Sequence, residues 1–202
     1  MYLQIRQIFP EKIWECTNNF PESYLNLLQK KPFFDESVCA RGFISQYIWN
    51  RYLPHEDENW VPVFQDTHFW SISHKLWIVF VWVSDLEIWV DLEYLWEKSP
   101  ELLDIFPDHF YTVLWGKNWK NFYLLWTSFE AIQKMKRWEN IKVEEFSLLS
   151  FEQLKTHISE IPFHNRTLYL CKGKNYQVFT GFDENTVYSV CTSRNIDYEI
   201  IT

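Results

Sequence analysis

Two carboxylates in one short segment are the first side chains whose types and spacing could do chemistry. Asp91 and Glu93 lie within residues 88–93 (IWVDLE), a segment that reads as a β-strand. Alternate side chains of a strand share a face, so both carboxylates would converge on one side together with Trp89. Hard cations take carboxylate oxygens as ligands. The spacing therefore suggests a cation site, although a half-buried strand with a polar outer face has the same pattern.

An acid and a base further along have helical spacing. Phe122, Trp126, Glu130 and Lys134 recur every four residues within residues 122–134 (FYLLWTSFEAIQK). On a helix they would form one stripe, with the acid one turn before the base. An ordinary surface salt bridge is the simpler explanation of this pair when it is taken alone.

Three short segments occur in one order along the chain: residues 71–74 (SISH), 90–93 (VDLE) and 126–134 (WTSFEAIQK). Together they resemble the motifs of the 4′-phosphopantetheinyl transferases, of the type associated with surfactin and enterobactin synthesis. The family has a Ser-Ile/Leu-Ser/Thr-His segment, then Gly-Ile/Val-Asp-aliphatic-Glu, then Trp-Ser/Thr-x-Lys-Glu-Ala/Ser-x-x-Lys. The resemblance covers residues 34–138, and the last third of the chain carries little of it.

The resemblance implies a fold, an activity and partners. The fold would be α+β, with two pseudo-symmetric halves, residues 1–85 and 86–202, each a small antiparallel sheet packed with a long helix. The coenzyme would lie between the halves. The activity would be Mg²⁺-dependent transfer of the 4′-phosphopantetheine arm of coenzyme A to a serine of an apo acyl or peptidyl carrier protein, with release of 3′,5′-ADP. We expect a cytoplasmic monomer.

The same resemblance assigns roles to the acidic and basic residues already named. Asp91, Glu93 and Glu130 match the family's three Mg²⁺ ligands. Glu130 and Lys134 match catalytic positions, and Lys134 would bind phosphate of the coenzyme or act in proton transfer.

Two further residues match coenzyme-binding positions. His74 would contact a phosphate of coenzyme A, although a lone histidine after a strand is more often structural. Arg41 would bind the 3′-phosphate, with Lys30 and Lys31 as weaker candidates. Solvated basic residues on a helix surface are the alternative for all three.

Two catalytic positions depart from the family pattern. Phe129 stands where the family has the first lysine of its helix motif, immediately before Glu130. Phe110 stands where the family often has a glutamate proposed as the base, and Asp108 or His109 could substitute for it. The alternative is therefore a catalytically silent member that binds coenzyme A or a carrier protein. A third possibility is an aromatic-rich structural or interaction protein in which the motifs are coincidental.

Composition limits the function and has one abnormal feature. The net charge of −8 and the pI of about 5.3 argue against nucleic-acid binding. The chain has 12 Trp but only 4 Gly. Trp60, Trp70 and Trp89 stand at family glycine positions, which suggests UGA codons that the source organism reads as glycine. An aromatic-rich natural core is the alternative.

Targeting signals and cysteines point to a protein inside the cell. The start of the chain lacks a signal-peptide pattern, and the apolar residues 76–83 are too few to span a bilayer. Cys16, Cys39, Cys171 and Cys191 are scattered, so we expect reduced thiols and no membrane association.

Hydrophobic periodicity and breakers predict the elements that must position these side chains. The predicted helices are 23–31, a helix through Leu53 with Asp35 as N-cap, 100–114 broken at Pro107, 121–137, and a short helix near 151–158. The predicted strands are 2–8, 61–64, 69–73, 76–84 with 86–93 as its antiparallel partner, 168–172, 176–180 and 198–201, with a hairpin turn at Gly173.

Overall fold

A computed structural model describes most of the chain as two compact units, Met1–Glu87 and Ile88–Thr202. The described residues are 2–7, 10–18, 20–30, 33–48, 53–57, 62, 69–84, 87–136, 142–143, 150–154, 168–172, 176–183 and 185–193. Both units combine helices with a small antiparallel sheet, so the fold class is α+β.

The first unit contains a three-stranded antiparallel sheet and three helices among its described residues. Its elements are β1 (Tyr2–Gln7), α1 (Pro10–Thr17), α2 (Glu22–Leu28), α3 (Phe34–Ile48), β2 (Phe69–Lys75) and β3 (Ile78–Ser84). Strand β3 is central, with β1 on one side and β2 on the other. A central strand with both faces covered should be continuously apolar, and β3 reads IVFVWVS.

The core of the first unit lies between this sheet and helix α3. Val79, Val81 and Val83 lie on the same face of β3 and pack in one cluster with Val38 and Ile44 of α3. A hydrogen bond to Cys16 of α1, together with burial, raises the pKa of the Cys39 thiol in the same cluster. The helices therefore cover one face of the sheet with aliphatic side chains.

The predicted pairing of residues 76–84 with 86–93 is wrong. The hairpin forms earlier, between β2 and β3, because Leu76 and Trp77 have φ of 48° and 66° and reverse the chain. No glycine or asparagine marks this turn in the sequence, so local turn signals do not predict it. The segment after β3 instead forms a strand of the second unit.

The second unit contains a five-stranded antiparallel sheet crossed by one long helix. Its described elements are β4 (Ile88–Tyr94), a 3₁₀ turn (Pro100–Ile105), α4 (Asp108–Val113), α5 (Trp119–Met135), β5 (Ser150–Leu154), β6 (Leu168–Lys172), β7 (Gln177–Asp183) and β8 (Thr186–Thr192). The strand order is β4-β8-β7-β6-β5. Helix α5 packs on β4, β8 and β7.

Most predicted elements of the described residues are found, with shifted ends. Asn118 caps α5 by accepting a hydrogen bond from the Asn121 amide, so the helix begins before residue 121. The break predicted at Pro107 is confirmed, as are the strands at 168–172 and 176–180. Leu53 lies outside α3, whose described end is Ile48.

One helix prediction is wrong. Two strand predictions and one turn prediction fall largely or wholly outside the described residues. Ser150–Leu154 is strand β5, paired with β6, rather than the start of a helix, because pairing with β6 outweighs a weak local signal. The strand at 198–201 and the turn at Gly173 lie outside the described residues, and the segment 61–64 is described only at Pro62.

No helix in the described part of the chain is long and apolar enough to cross a membrane.

Candidate active site

The site of the second unit is built around an ion pair between β4 and α5. The Lys134 ammonium lies 2.7 Å from Asp91 Oδ1 and donates a second hydrogen bond of 3.0 Å to the Val90 carbonyl. The Asp91 and Lys134 side chains are 4% and 17% exposed. Burial weakens screening by water, so the two charges interact strongly. Two segments more than forty residues apart thus meet at one point.

Glu93 faces the same helix as Asp91. Strand alternation puts both carboxylates on one side of β4. The Glu93 carboxylate helps to raise the pKa of Tyr123 on α5 to about 12, although burial of the phenol is the larger cause. Negative charge is therefore concentrated beneath α5.

Glu130 lies on the helix face that carries Lys134. Tyr123, Thr127, Glu130 and Lys134 follow the helical repeat and share one stripe. Tyr123 donates a hydrogen bond of 3.2 Å to the Trp96 carbonyl, and the Glu130 side chain is only half-buried. The acid and base predicted to share a stripe therefore lie on the side of α5 that faces β4 and β8.

A cluster of buried hydroxyls holds α5 to the sheet beside this site. Ser189 Oγ on β8 lies 2.8 Å from Thr127 Oγ1, 3.4 Å from Ser128 Oγ and 2.6 Å from Thr180 Oγ1. Ser189 also pairs in register with Asp91. All four hydroxyl residues are fully buried. The hydroxyl cluster therefore holds α5 against β8, the strand that pairs with the carboxylate-bearing strand β4.

Sequence reasoning did not find the hydroxyl cluster. Ser189 is a single small polar residue in an otherwise largely apolar strand, TVYSVCT. Its importance comes from its partners on α5 and β7, which no local spacing connects to it. A threonine and a serine in adjacent positions on the helix, Thr127 and Ser128, were the only available signal.

The three carboxylates have the donor chemistry of a Mg²⁺ site. Asp91, Glu93 and Glu130 offer the oxygen ligands that Mg²⁺ prefers. Within the described ranges, no three side chains of His, Cys, Asp or Glu are grouped so that they could hold a metal ion. One Asp91 oxygen is engaged by Lys134 instead. Mg²⁺ binding by these three residues stays a prediction.

Phe110 and Phe129, the two residues that depart from the transferase motifs, both pack against the ring of Phe106. Phe106 lies edge-on to Phe110 at 6.3 Å and to Phe129 at 6.2 Å between ring centroids. Phe122 and Trp126 contact the same ring at 5.9 and 6.5 Å. Phe106, Phe110 and Phe129 are all buried. At the two positions where the resemblance implies a glutamate and a lysine, this chain has one apolar aromatic cluster.

In the first unit, the Arg41 side chain is buried and hydrogen-bonded to Glu56 and Ser37. Its side chain is 1% exposed on α3, and Nη2 lies 2.6 Å from Glu56 Oε1. Nη1 donates to the carbonyl oxygen of Ser37 at 3.1 Å and to the Ser37 hydroxyl. Glu56 lies in the described segment 53–57, so this pair ties that segment to the helix. A phosphate bound by Arg41 would compete with Glu56 and Ser37 for the guanidinium.

His74 and the two lysines have simpler surroundings. The half-buried His74 ring on β2 meets Phe33 edge-on, with centroids 5.8 Å apart. Lys30 follows α2 and is exposed, whereas Lys31 lies outside the described residues. The coenzyme-binding roles of these residues remain predictions.

No family model matches the chain, and no curated protein matches it.

Proposed function

We propose that this chain transfers the 4′-phosphopantetheine arm of coenzyme A to a serine of an apo acyl or peptidyl carrier protein. The observation that carries the proposal is the ion pair between Asp91 and Lys134. It joins two of the three segments that resemble the transferases, at a buried point where charge matters most. The finer fold, two pseudo-symmetric halves of the transferase type, belongs to the same proposal.

The reaction is a displacement at phosphorus, so charge neutralisation and alignment are its main demands. The serine oxygen forms a bond to the phosphorus that bears the pantetheine arm. The bond to the bridging oxygen breaks, and 3′,5′-ADP leaves. The Lys134 ammonium would bind an oxygen of the diphosphate, exchanging part of its contact with Asp91 for one with the substrate. Asp91, Glu93 and Glu130 would hold Mg²⁺, which neutralises phosphate charge when bound.

The serine proton is the difficult part of the reaction in this chain. The family's glutamate position is Phe110, which is buried against Phe106. His109 and Asp108 precede it on α4, and both are exposed. Asp108 pairs with Lys117 at 2.9 Å, which lowers the pKa of its carboxyl and makes it a weak base. We therefore propose slow turnover, with His109 or solvent taking the proton.

A transfer assay tests the proposal directly. The protein is incubated with coenzyme A, Mg²⁺ and several apo-carrier proteins, and the mass of each carrier is followed. We expect a gain equal to the phosphopantetheine arm, lost in Asp91→Asn. The control is Asp104→Asn, an exposed carboxylate of the same unit that pairs with Lys117 and should keep full transfer. Full transfer by Asp91→Asn would contradict the proposal.

Trp89 should be replaced in a parallel sample. Its buried indole shares the strand face of Asp91 and Glu93, beneath α5. If glycine stands there in the natural protein, the indole fills space that the natural site leaves open. Transfer that appears only with Trp89→Gly would support both the transferase activity and glycine at position 89 of the natural protein.

A second candidate, a silent protein that binds coenzyme A or a carrier, is favoured by the aromatic cluster. Phe110 and Phe129 replace two charged groups with rings that pack on Phe106, and both are buried. Coenzyme A binding without transfer, measured by calorimetry in the presence of Mg²⁺, would identify this candidate. Absence of coenzyme A binding would instead leave the structural or interaction protein.

The coenzyme-binding residues have a test of their own. We propose that Arg41 and His74 contact phosphates of coenzyme A, with Lys30 as a weaker contact. His74→Gln should weaken binding of coenzyme A but not of 3′-dephospho-coenzyme A if it contacts the 3′-phosphate, and should weaken both if it contacts the diphosphate. Equal affinity of the variant and the parent protein for both ligands would remove His74 from the site.

A further inference from the structure

Two tryptophans have a backbone conformation that tryptophan rarely adopts. Four non-glycine residues of the described chain have positive φ: Phe33 at 57°, Leu76 at 48°, Trp77 at 66° and Trp115 at 59°. In this left-handed region the β-carbon of an L-residue approaches the following carbonyl oxygen, and glycine escapes the clash. Tryptophan supplies two of these four residues.

Trp115 occupies the glycine position of a helix-terminating motif. Helix α4 ends at Val113, and Leu114 is its C-cap. The Gly116 amide donates to the Tyr111 carbonyl at 3.0 Å, and the Trp115 amide to the Thr112 carbonyl at 3.3 Å. These two bonds define the Schellman motif, in which the residue after the C-cap is left-handed and is usually glycine.

Trp77 occupies the glycine position of a hairpin turn. The register pairs Lys75 with Ile78, so Leu76 and Trp77 form a two-residue connection between β2 and β3. Both have positive φ, which is a type I′ turn. Asparagine followed by glycine is the preferred pair for this turn, and Trp77 stands second.

We infer that residues 77 and 115 are glycine in the protein that the source cells make, because their codons are read there as glycine. Neither indole has a core role that would justify the strain, since Trp77 is 42% and Trp115 is 74% exposed. The shortage of glycine, 4 residues against 12 Trp, agrees with this substitution. The backbone alone selects both positions, and neither belongs to a motif shared with the transferases. Leu76 has positive φ as the first central residue of the type I′ turn, and nothing accounts for the positive φ of Phe33.

The inference changes the surface of the first unit. Leu76 and Trp77 are exposed large hydrophobic side chains at one hairpin tip. With glycine at 77, the tip loses its indole and a source of non-specific adhesion. The inference stands without the proposed function, since it rests on backbone geometry and composition.

Peptide mass spectrometry of the protein isolated from its own cells tests the inference directly. Peptides that span positions 77 and 115 should each have the mass expected for glycine, and the gene should have UGA at both codons. Tryptophan at either position, or UGG codons, would overturn the inference.

A stability comparison tests the backbone argument independently. Glycine and alanine are placed in turn at 77, 115 and 96, and the urea midpoints are compared. At 77 and 115 the glycine variant should have the higher midpoint, because alanine keeps the strained β-carbon. At 96 the order should reverse, because Trp96 is equally exposed at 42% but has no positive φ. The same order at all three positions would overturn the argument.

Discussion

At the scale of single residues, the ion pair between Asp91 and Lys134 is the interaction on which stability and proposed function both depend. Removing one partner of a buried pair costs about 3–5 kcal/mol, because a charge stays in a poorly solvated place. We expect Lys134→Met to lower the free energy of unfolding by about this amount, measured by urea denaturation. Adding Asp91→Leu to that variant should recover much of the loss.

The matched control for this prediction is Lys117→Met. Lys117 also pairs with two carboxylates, Asp104 at 2.6 Å and Asp108 at 2.9 Å, but on the surface. Water and salt screen exposed pairs, so this variant should change stability far less. Equal losses in the two variants would mean that burial does not strengthen the pair of Asp91 and Lys134.

A second prediction at this scale concerns alkaline pH. Burial raises the pKa of Tyr123 from its ordinary value of 10.0 to about 12, with a contribution from Glu93. Between these pH values the folded state binds more protons than the unfolded state, so the free energy of unfolding falls as pH rises from 10 to 12. The contribution of Tyr123 to stability is fully present below pH 10. The loss is on the order of 2 kcal/mol.

Tyr123→Phe should therefore flatten the decline between pH 10 and 12, measured as urea midpoints at several pH values. At neutral pH the variant loses one hydrogen bond to the Trp96 carbonyl, which costs about 1 kcal/mol. Burial also raises the pKa of Tyr111 to about 12, so Tyr111→Phe should act similarly. An unchanged slope in both variants would contradict the prediction.

At the scale of elements, the position of α5 over the sheet depends on the hydroxyl cluster around Ser189. Ser189→Ala removes three hydroxyl contacts at a fully buried point, and we expect a loss of about 1–3 kcal/mol. Faster amide exchange in α5 should accompany it. Ser193→Ala, a change at an exposed serine just after β8, should alter neither quantity.

The sequence predicted α5 and β4 well, because their apolar periodicity and their polar side chains agree. It failed where the decisive contact is distant: β5 is a strand because it pairs with β6, and β4 pairs with β8 rather than with β3. The site shows the same limit. The resemblance puts Asp91 and Lys134 in one site, but their direct ion pair, like the burial of Arg41 against Glu56, follows only from tertiary packing.

At the scale of the whole molecule, charge limits how a carrier protein could dock. The net charge is −8, so an acidic carrier would gain no attraction from the protein as a whole. Docking would need a locally basic or apolar surface.

The alkylation rates of the buried cysteines can report separately on the opening of each unit. Cys16 and Cys39 lie buried in the first unit and Cys191 in the second. Alkylation needs an accessible thiolate, and the pKa of Cys39 is raised. We expect Cys39 to react with iodoacetamide only when its unit opens, at a rate that rises with added urea. Rapid labelling of the native protein would contradict this. Because mass spectrometry resolves each labelled peptide, the opening of the two units can be timed separately in one unaltered sample.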